Sequence, residues 1–157
     1  MKGQTAAVVL LVHQADDSRE MYVEYFRHHG LTVLCSSEVV EALAMALTAD
    51  VIVTELRIPG ALQGYDFIQQ LRQDDKTRHK PVIVVTSWAW QTERVRAEEA
   101  GCDSFLTKPC FPDVLLRHVR QALIVQPRHG REHAARSRRK DRAGQKRTRV
   151  RTRDEKD

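Results

Sequence analysis

The 157-residue sequence has no apolar run of the roughly 18 residues that a membrane-spanning helix needs, so no such helix is expected. Its first apolar stretch, residues 6–12, is too brief for a signal peptide, and no small-residue cleavage site follows it. Cysteine is scarce. Cys35, Cys102 and Cys110 are odd in number and widely spaced, which excludes a disulfide framework and a zinc ligand set. They read as reduced, packing thiols of a cytoplasmic protein, with no metal and no cofactor expected. No internal repeat is present. What remains is one domain of about 100–150 residues plus an appendage. A domain of that size buries about two-thirds of its unfolded surface and needs no covalent staple.

The formal net charge of +5 hides a division. Residues 1–127 hold 13 Lys and Arg against 16 Asp and Glu, a net −3. Residues 128–157 hold 13 against 5, a net +8. That last segment has no Leu, Ile, Phe, Trp or Tyr, and Val150 is its only large aliphatic residue. It cannot bury enough apolar surface to offset an ordering cost of about 1–2 kcal/mol per residue. Residues 126–157 are therefore expected to be a disordered basic tail after a folded domain at 6–125.

Within that domain apolar runs alternate with helical patterns. Strands are expected at 6–12, 31–34, 51–54, 82–86 and 104–107. Asp17 or Ser18 caps a first helix that turns Met21, Tyr25 and Phe26 inward and stops at Gly30. Ser37 caps a second, with Val40, Leu43, Ala44 and Leu47 as its inward stripe. Phe67, Ile68 and Leu71 mark a third. A polar fourth spans 91–100 and ends at Gly101. The last covers 113–123 with Leu116, Val119 and Leu123 inward. Such alternation predicts an α/β fold, a doubly wound parallel sheet with helices on both faces. Function in such sheets collects beyond the carboxyl ends of the strands. His13, Gln14, Glu55, Thr86 and Lys108 fall there.

At those strand ends stand Thr54-Glu55-Leu56-Arg57-Ile58-Pro59-Gly60, Thr86-Ser87 and Thr107-Lys108-Pro109. In this order they resemble the receiver domain of bacterial two-component response regulators, over about residues 6–125. The resemblance implies a flavodoxin-like fold of strand order 2-1-3-4-5. It also implies a chemistry. A phosphoacceptor Asp ends the third strand, an acidic pair follows the first, and together they hold Mg²⁺. A Thr or Ser and a Lys contact the phosphoryl group, and an aromatic residue three before that Lys switches rotamer.

Thr86, Phe105 and Lys108 stand in their places, but the acidic pair maps onto His13 and Gln14 and the phosphoacceptor onto Glu55. Mg²⁺ wants about six hard oxygen ligands, which imidazole and a neutral amide supply poorly. Glu55 also reaches one methylene beyond an Asp. An alternative alignment, with a longer first loop, makes Asp16 and Asp17 the acidic pair and leaves an active phosphoacceptor at Glu55. Two readings of Glu55 stand: a partial mimic of a phosphorylated Asp, and a relic whose carboxylate keeps Lys108 paired.

These departures predict an atypical receiver that is not an enzyme. It would signal through a histidine kinase or another protein, with a homodimer as a further option and no output domain after it. Trp88 and Trp90 are partner-binding candidates, with simple packing as the other reading. The tail carries Arg138, Arg139, Lys140, Lys146, Arg147, Arg149 and Arg151. It offers non-specific nucleic-acid contact by counterion release, without interleaved aromatics to stack on bases. A solvated extension without function is the alternative.

Overall fold

A computed structural model describes residues 5–125. Five strands and five helices alternate: β1 (Val8–Val12), α1 (Asp17–His28), β2 (Thr32–Ser36), α2 (Val39–Ala46), β3 (Val51–Thr54), α3 (Gly64–Gln73), β4 (Val82–Thr86), α4 (Gln91–Ala100), β5 (Ser104–Thr107) and α5 (Pro112–Ile124). The strands form one parallel sheet in the order β2-β1-β3-β4-β5, the flavodoxin-like arrangement expected. The tail expected at 126–157 lies outside the described residues. No described helix is long and apolar enough to cross a membrane.

Strand residues point alternately to the two faces, so continuous apolar runs fill two cores. On one face Leu10, Val12, Ile52, Val82 and Val84 pack with Phe67, Ile68 and Leu71 of α3. On the other, Val9, Leu11, Val51, Val53, Ile83 and Val85 pack with Tyr22 and Phe26 of α1 and Leu115, Leu116 and Val119 of α5. Both faces being covered is what permits strands with no polar alternation.

Several local expectations are corrected. The first strand begins at Val8, opposite Thr32, because β2 offers no earlier partner. The second starts at Thr32 and runs on through Cys35 and Ser36, which pair with Leu11 and Val12. In α1 the buried residues are Tyr22 and Phe26, while Met21 is exposed. The α2 stripe is displaced by one position. Val39, Ala42 and Ala46 enter the core, Leu43 packs against its edge, and Val40 and Leu47 are 72% and 49% exposed. That helix is apolar on nearly every side, so periodicity alone does not select its inward face. Glu38, not Ser37, occupies its N-cap position. α5 also buries Leu115, which the sequence pattern did not single out.

The cap of α1 is Asp16 rather than Asp17 or Ser18. Its Oδ1 accepts the Arg19 N–H at 3.0 Å. Burial raises the Asp16 carboxyl, but that bond and the nearby His13 and Lys108 outweigh it and hold it below its ordinary value. A carboxyl that titrates lower when folded contributes stability above its unfolded pKa and loses it as pH falls through the folded one. Asp16→Ala is thus expected to cost about 1 kcal/mol near neutrality, as N-cap removals do. Urea unfolding of the two proteins should converge as pH falls through the titration of the folded carboxyl; a constant gap would mean the carboxylate is not the capping group.

Candidate functional site

Parallel pairing places the ends of β1, β3, β4 and β5 side by side, and the loops that follow them enclose one cleft. Its lining is His13, Gln14, Asp16, Glu55, Arg57, Ser87, Trp88 and Lys108. The space is about 160 Å³, below the roughly 300–1,000 Å³ of sites that enclose a drug-sized ligand.

Glu55 is fixed by its own backbone and by its neighbours. Its N–H donates to the Val12 carbonyl at 3.0 Å, which ties the end of β3 to the end of β1. The Leu56 N–H donates to Glu55 Oε1 at 2.8 Å. Gly64 presses against this turn from the start of α3. A Cβ there would stand 2.7 Å from the Leu56 Cα, so only glycine lets α3 approach. The second oxygen, Oε2, faces Lys108 Nζ at 2.9 Å. The Lys108 N–H in turn donates to the Thr86 carbonyl at 2.8 Å, which registers the lysine loop on β4.

Lys108 Nζ also lies 2.5 Å from His13 Nε2. An ammonium only donates, so Nε2 must accept. The other ring nitrogen then carries the hydrogen and donates it to the Gln14 carbonyl at 2.9 Å. One neutral tautomer satisfies both bonds of this buried imidazole. The resulting chain runs Gln14 carbonyl, His13, Lys108, Glu55, Leu56 N–H. Asp16 Oδ1 stands 3.5 Å from His13 Nδ1.

The remaining sequence candidates lie apart from this chain. Thr86 is fully buried and is not part of the cleft lining, and its hydroxyl oxygen accepts the Trp88 N–H at 3.1 Å. Phe105 is in the core beneath Arg94. Trp88 forms a cleft wall, with the Arg57 guanidinium 3.5 Å above its ring. Trp90 packs on Trp88 at 5.8 Å between ring centres and is 69% exposed. The arginines and lysines of the tail lie outside the described residues. Cys102 is buried, and burial pushes its thiol up to about 12, so it stays protonated. Cys110 is buried too, and its carbonyl accepts the Tyr22 hydroxyl at 2.7 Å.

The response regulator receiver domain family matches residues 9–120. The chain belongs to that family. Among relatives of this receiver, PilH of Pseudomonas aeruginosa is 31% identical over 112 residues, which cover 69% of this chain and 92% of PilH. The response regulator Rre1 of a Synechocystis strain is 35% identical over 75 residues, covering 48% of this chain but 32% of Rre1. The chain spans about a third or less of the first curated relatives it matches. Among solved structures, the chemotaxis response regulator CheY4 of Vibrio cholerae superposes with a TM-score of 0.68 at 26% identity. That match covers 75% of this chain and 99% of CheY4. Receivers are signalling modules of two-component systems rather than enzymes in the ordinary sense.

The receiver family implies a divalent cation, and the cleft residues do not fit one as arranged. Both oxygens of Glu55 are engaged, one by Leu56 N–H and one by Lys108. Asp16 Oδ1 is engaged by Arg19 N–H. Nε2 of His13 faces an ammonium. Mg²⁺ needs several hard oxygen donors in near-octahedral array. Among the described residues no group of three or more His, Cys, Asp or Glu is placed to hold a metal ion.

Sequence reasoning missed Arg57 and Ser87 as cleft residues and gave Asp16 a place only in a shifted alignment. For Arg57 the available signal was its position two residues past Glu55, beside the loop that follows β4. Its stacking on Trp88 depends on the lateral pairing of β3 with β4, which only the sheet order reveals.

Proposed function

We propose that this receiver signals through protein contacts with its cation position filled from within, by the Lys108 ammonium. The observation that carries the reading is the placement of Lys108 Nζ between Glu55 Oε2 at 2.9 Å and His13 Nε2 at 2.5 Å. Phosphoryl transfer rests on positioning and charge neutralisation. Here Glu55, the carboxylate that ends β3, is already bonded on both oxygens, and among the described residues no group of three or more His, Cys, Asp or Glu is placed to hold a metal. Ordinary phosphorylation of an Asp is therefore not the switch. Glu55 acts as the standing counter-charge of Lys108, with one negative charge against the −1.5 to −2 of a phosphoryl group. Residues 6–125 form the receiver unit and 126–157 a separate basic tail. A histidine kinase or another signalling protein of the cytoplasm is the partner class, and a second copy of the chain is a further candidate.

The test is NMR of the labelled protein with Mg²⁺ and beryllofluoride. Amide shifts at Thr86, Phe105 and Trp88 are expected to stay within error. Saturable shifts at those residues would sink the reading. The combined variant His13→Asp, Gln14→Asp and Glu55→Asp is expected to bind Mg²⁺ and to respond, which checks the assignment of positions.

A further inference from the structure

His13 is buried beyond the end of β1, 4% exposed, and its ring is committed on both sides. Nδ1–H donates to the Gln14 carbonyl, and Nε2 accepts from the Lys108 ammonium at 2.5 Å. That arrangement holds for the neutral ring only. An imidazolium donates from both nitrogens, and an ammonium has no acceptor to offer it. A proton on Nε2 sets donor against donor and cation against cation at that distance.

The charges around the ring balance only while it is neutral. The cleft lining holds two cations, Arg57 and Lys108, and two carboxylates, Asp16 and Glu55. Lys108 reaches Nε2 from the loop after β5 and pairs at 2.9 Å with Glu55 at the end of β3. Asp16, at the N-cap of α1, stands 3.5 Å from Nδ1. From α1 itself, Arg19 Nη1 donates to the His13 carbonyl at 3.4 Å. On the β2 side the Ser36 carbonyl accepts the His13 N–H at 2.9 Å, and the Ser36 hydroxyl donates to Glu41 at 2.8 Å. Tyr22 of α1 has its hydroxyl pushed up to about 12, chiefly by burial, so it stays neutral. A charged His13 is thus a third cation in a lining with two carboxylates. The ring is tied down through its backbone, and Arg57 is stacked on Trp88. Lys108 is the cation able to leave. Its side chain is 20% exposed, has a flexible four-carbon stem, and borders about 160 Å³ of open cleft.

Resting on the reading that Lys108 fills the cation position, we propose that protonation of His13 expels the Lys108 ammonium from between His13 and Glu55. Solvent supplies the proton, Nε2 takes it, and Lys108 leaves with its own charge. Nδ1–H keeps its bond to Gln14, and Glu55 Oε2 loses its partner. The cleft then has two discrete arrangements, closed over a neutral ring and open over an imidazolium, and proton concentration selects between them.

The full chain, labelled with nitrogen-15 and carbon-13, is titrated by NMR from about pH 8 to pH 5, the interval in which histidine changes charge. Circular dichroism follows the fold in parallel. At the upper end His13 is expected as the Nδ1–H tautomer, with a nuclear Overhauser contact between its ring and the Lys108 ε-methylene. On acidification the ring becomes an imidazolium and that contact is lost. The Glu55 carboxyl carbon and the Trp88 indole across the cleft should shift with the same midpoint. His13→Gln keeps an acceptor for Lys108 but does not titrate, so the Glu55 and Trp88 responses should vanish. A hydrogen on Nε2 at the upper end would refute the internal-cation reading and the switch together. With Nδ1–H in place, three results would overturn the switch alone. They are a ring that stays neutral or a chain that unfolds first, a Lys108 contact that survives protonation, and an undiminished response in His13→Gln.

Discussion

Arg72→Met is expected to lower the unfolding free energy by about 3 kcal/mol, at the lower end of the cost of breaking a buried ion pair from one side. The Arg72 side chain is 11% exposed and lies between three segments. Its Nε donates to the Gly101 carbonyl at 2.9 Å. Nη1 donates to the carbonyls of Arg78 and Lys80 at 2.9 and 2.6 Å. Nη2 pairs with Asp103 Oδ2 at 2.9 Å, and the same oxygen accepts the Val82 N–H at 2.9 Å. One guanidinium thus joins the end of α3 to the entry of β4 and the turn before β5. Burial lowers its pKa and the Asp103 charge opposes that shift, but it stays charged at any physiological pH. Methionine keeps the apolar stem and removes every donor, leaving three carbonyls and a carboxylate without their partner.

A drop of that size corresponds to about 6–12 °C in midpoint for a chain this long. Urea unfolding followed by circular dichroism measures it, and an unchanged slope would show that the denatured state is unaltered. Adding Asp103→Asn to Arg72→Met should recover part of the loss, because the stranded charge is then gone. A loss under 1 kcal/mol would mean the hub is decorative. Gly101 depends on the same side chain. Its φ of +117° stops α4, and a Cβ there would meet the Arg72 Cγ at 2.7 Å.

Glu55→Gln is the second large effect. Glutamine preserves the size and the acceptor for Leu56 N–H but removes the charge opposite Lys108. The lysine then rests on a neutral amide and on His13 alone. The expected cost is about 2–3 kcal/mol, reduced from the 3–5 of a fully buried pair because Lys108 keeps some solvent contact. Adding Lys108→Met should return stability toward that of the unaltered protein, since no charge remains unpaired. The His13 imidazole supplies a second readout. Its Nδ1–H tautomer is held by Lys108, so proton–nitrogen correlation spectra should show tautomer mixing once the lysine is gone. Unchanged stability together with an unchanged His13 spectrum would refute the internal-cation arrangement.

Much of this molecule is written locally. Residues 51–54, 82–86 and 104–107 are strands because short apolar runs are bounded by turn and polar residues, and their limits coincide with β3, β4 and β5. Gly101 ends α4 because only glycine takes its positive φ without strain. Alternation of such runs with helical segments dictates a parallel sheet, and hence that strand-end residues gather at one edge. His13, Gln14, Glu55 and Lys108 were legible for that reason.

Other features required the assembled fold. The inward face of α2 is decided by what packs beneath it, since its apolar residues surround the axis. The cap of α1 is Asp16 because the loop after β1 brings that carboxylate, and not its neighbour, under the Arg19 N–H. The bond from the Trp88 N–H to the Thr86 hydroxyl and the stacking of Arg57, Trp88 and Trp90 follow from the loop after β4 and from the lateral order of the strands. The sequence alone determined which residues would meet at the carboxyl edge of the sheet, because strand period and crossover handedness are local rules. Tertiary structure alone decided that Lys108, whose pairing with Glu55 was one reading of the sequence, also reaches His13, because a contact between side chains 95 positions apart depends on the pairing of whole strands.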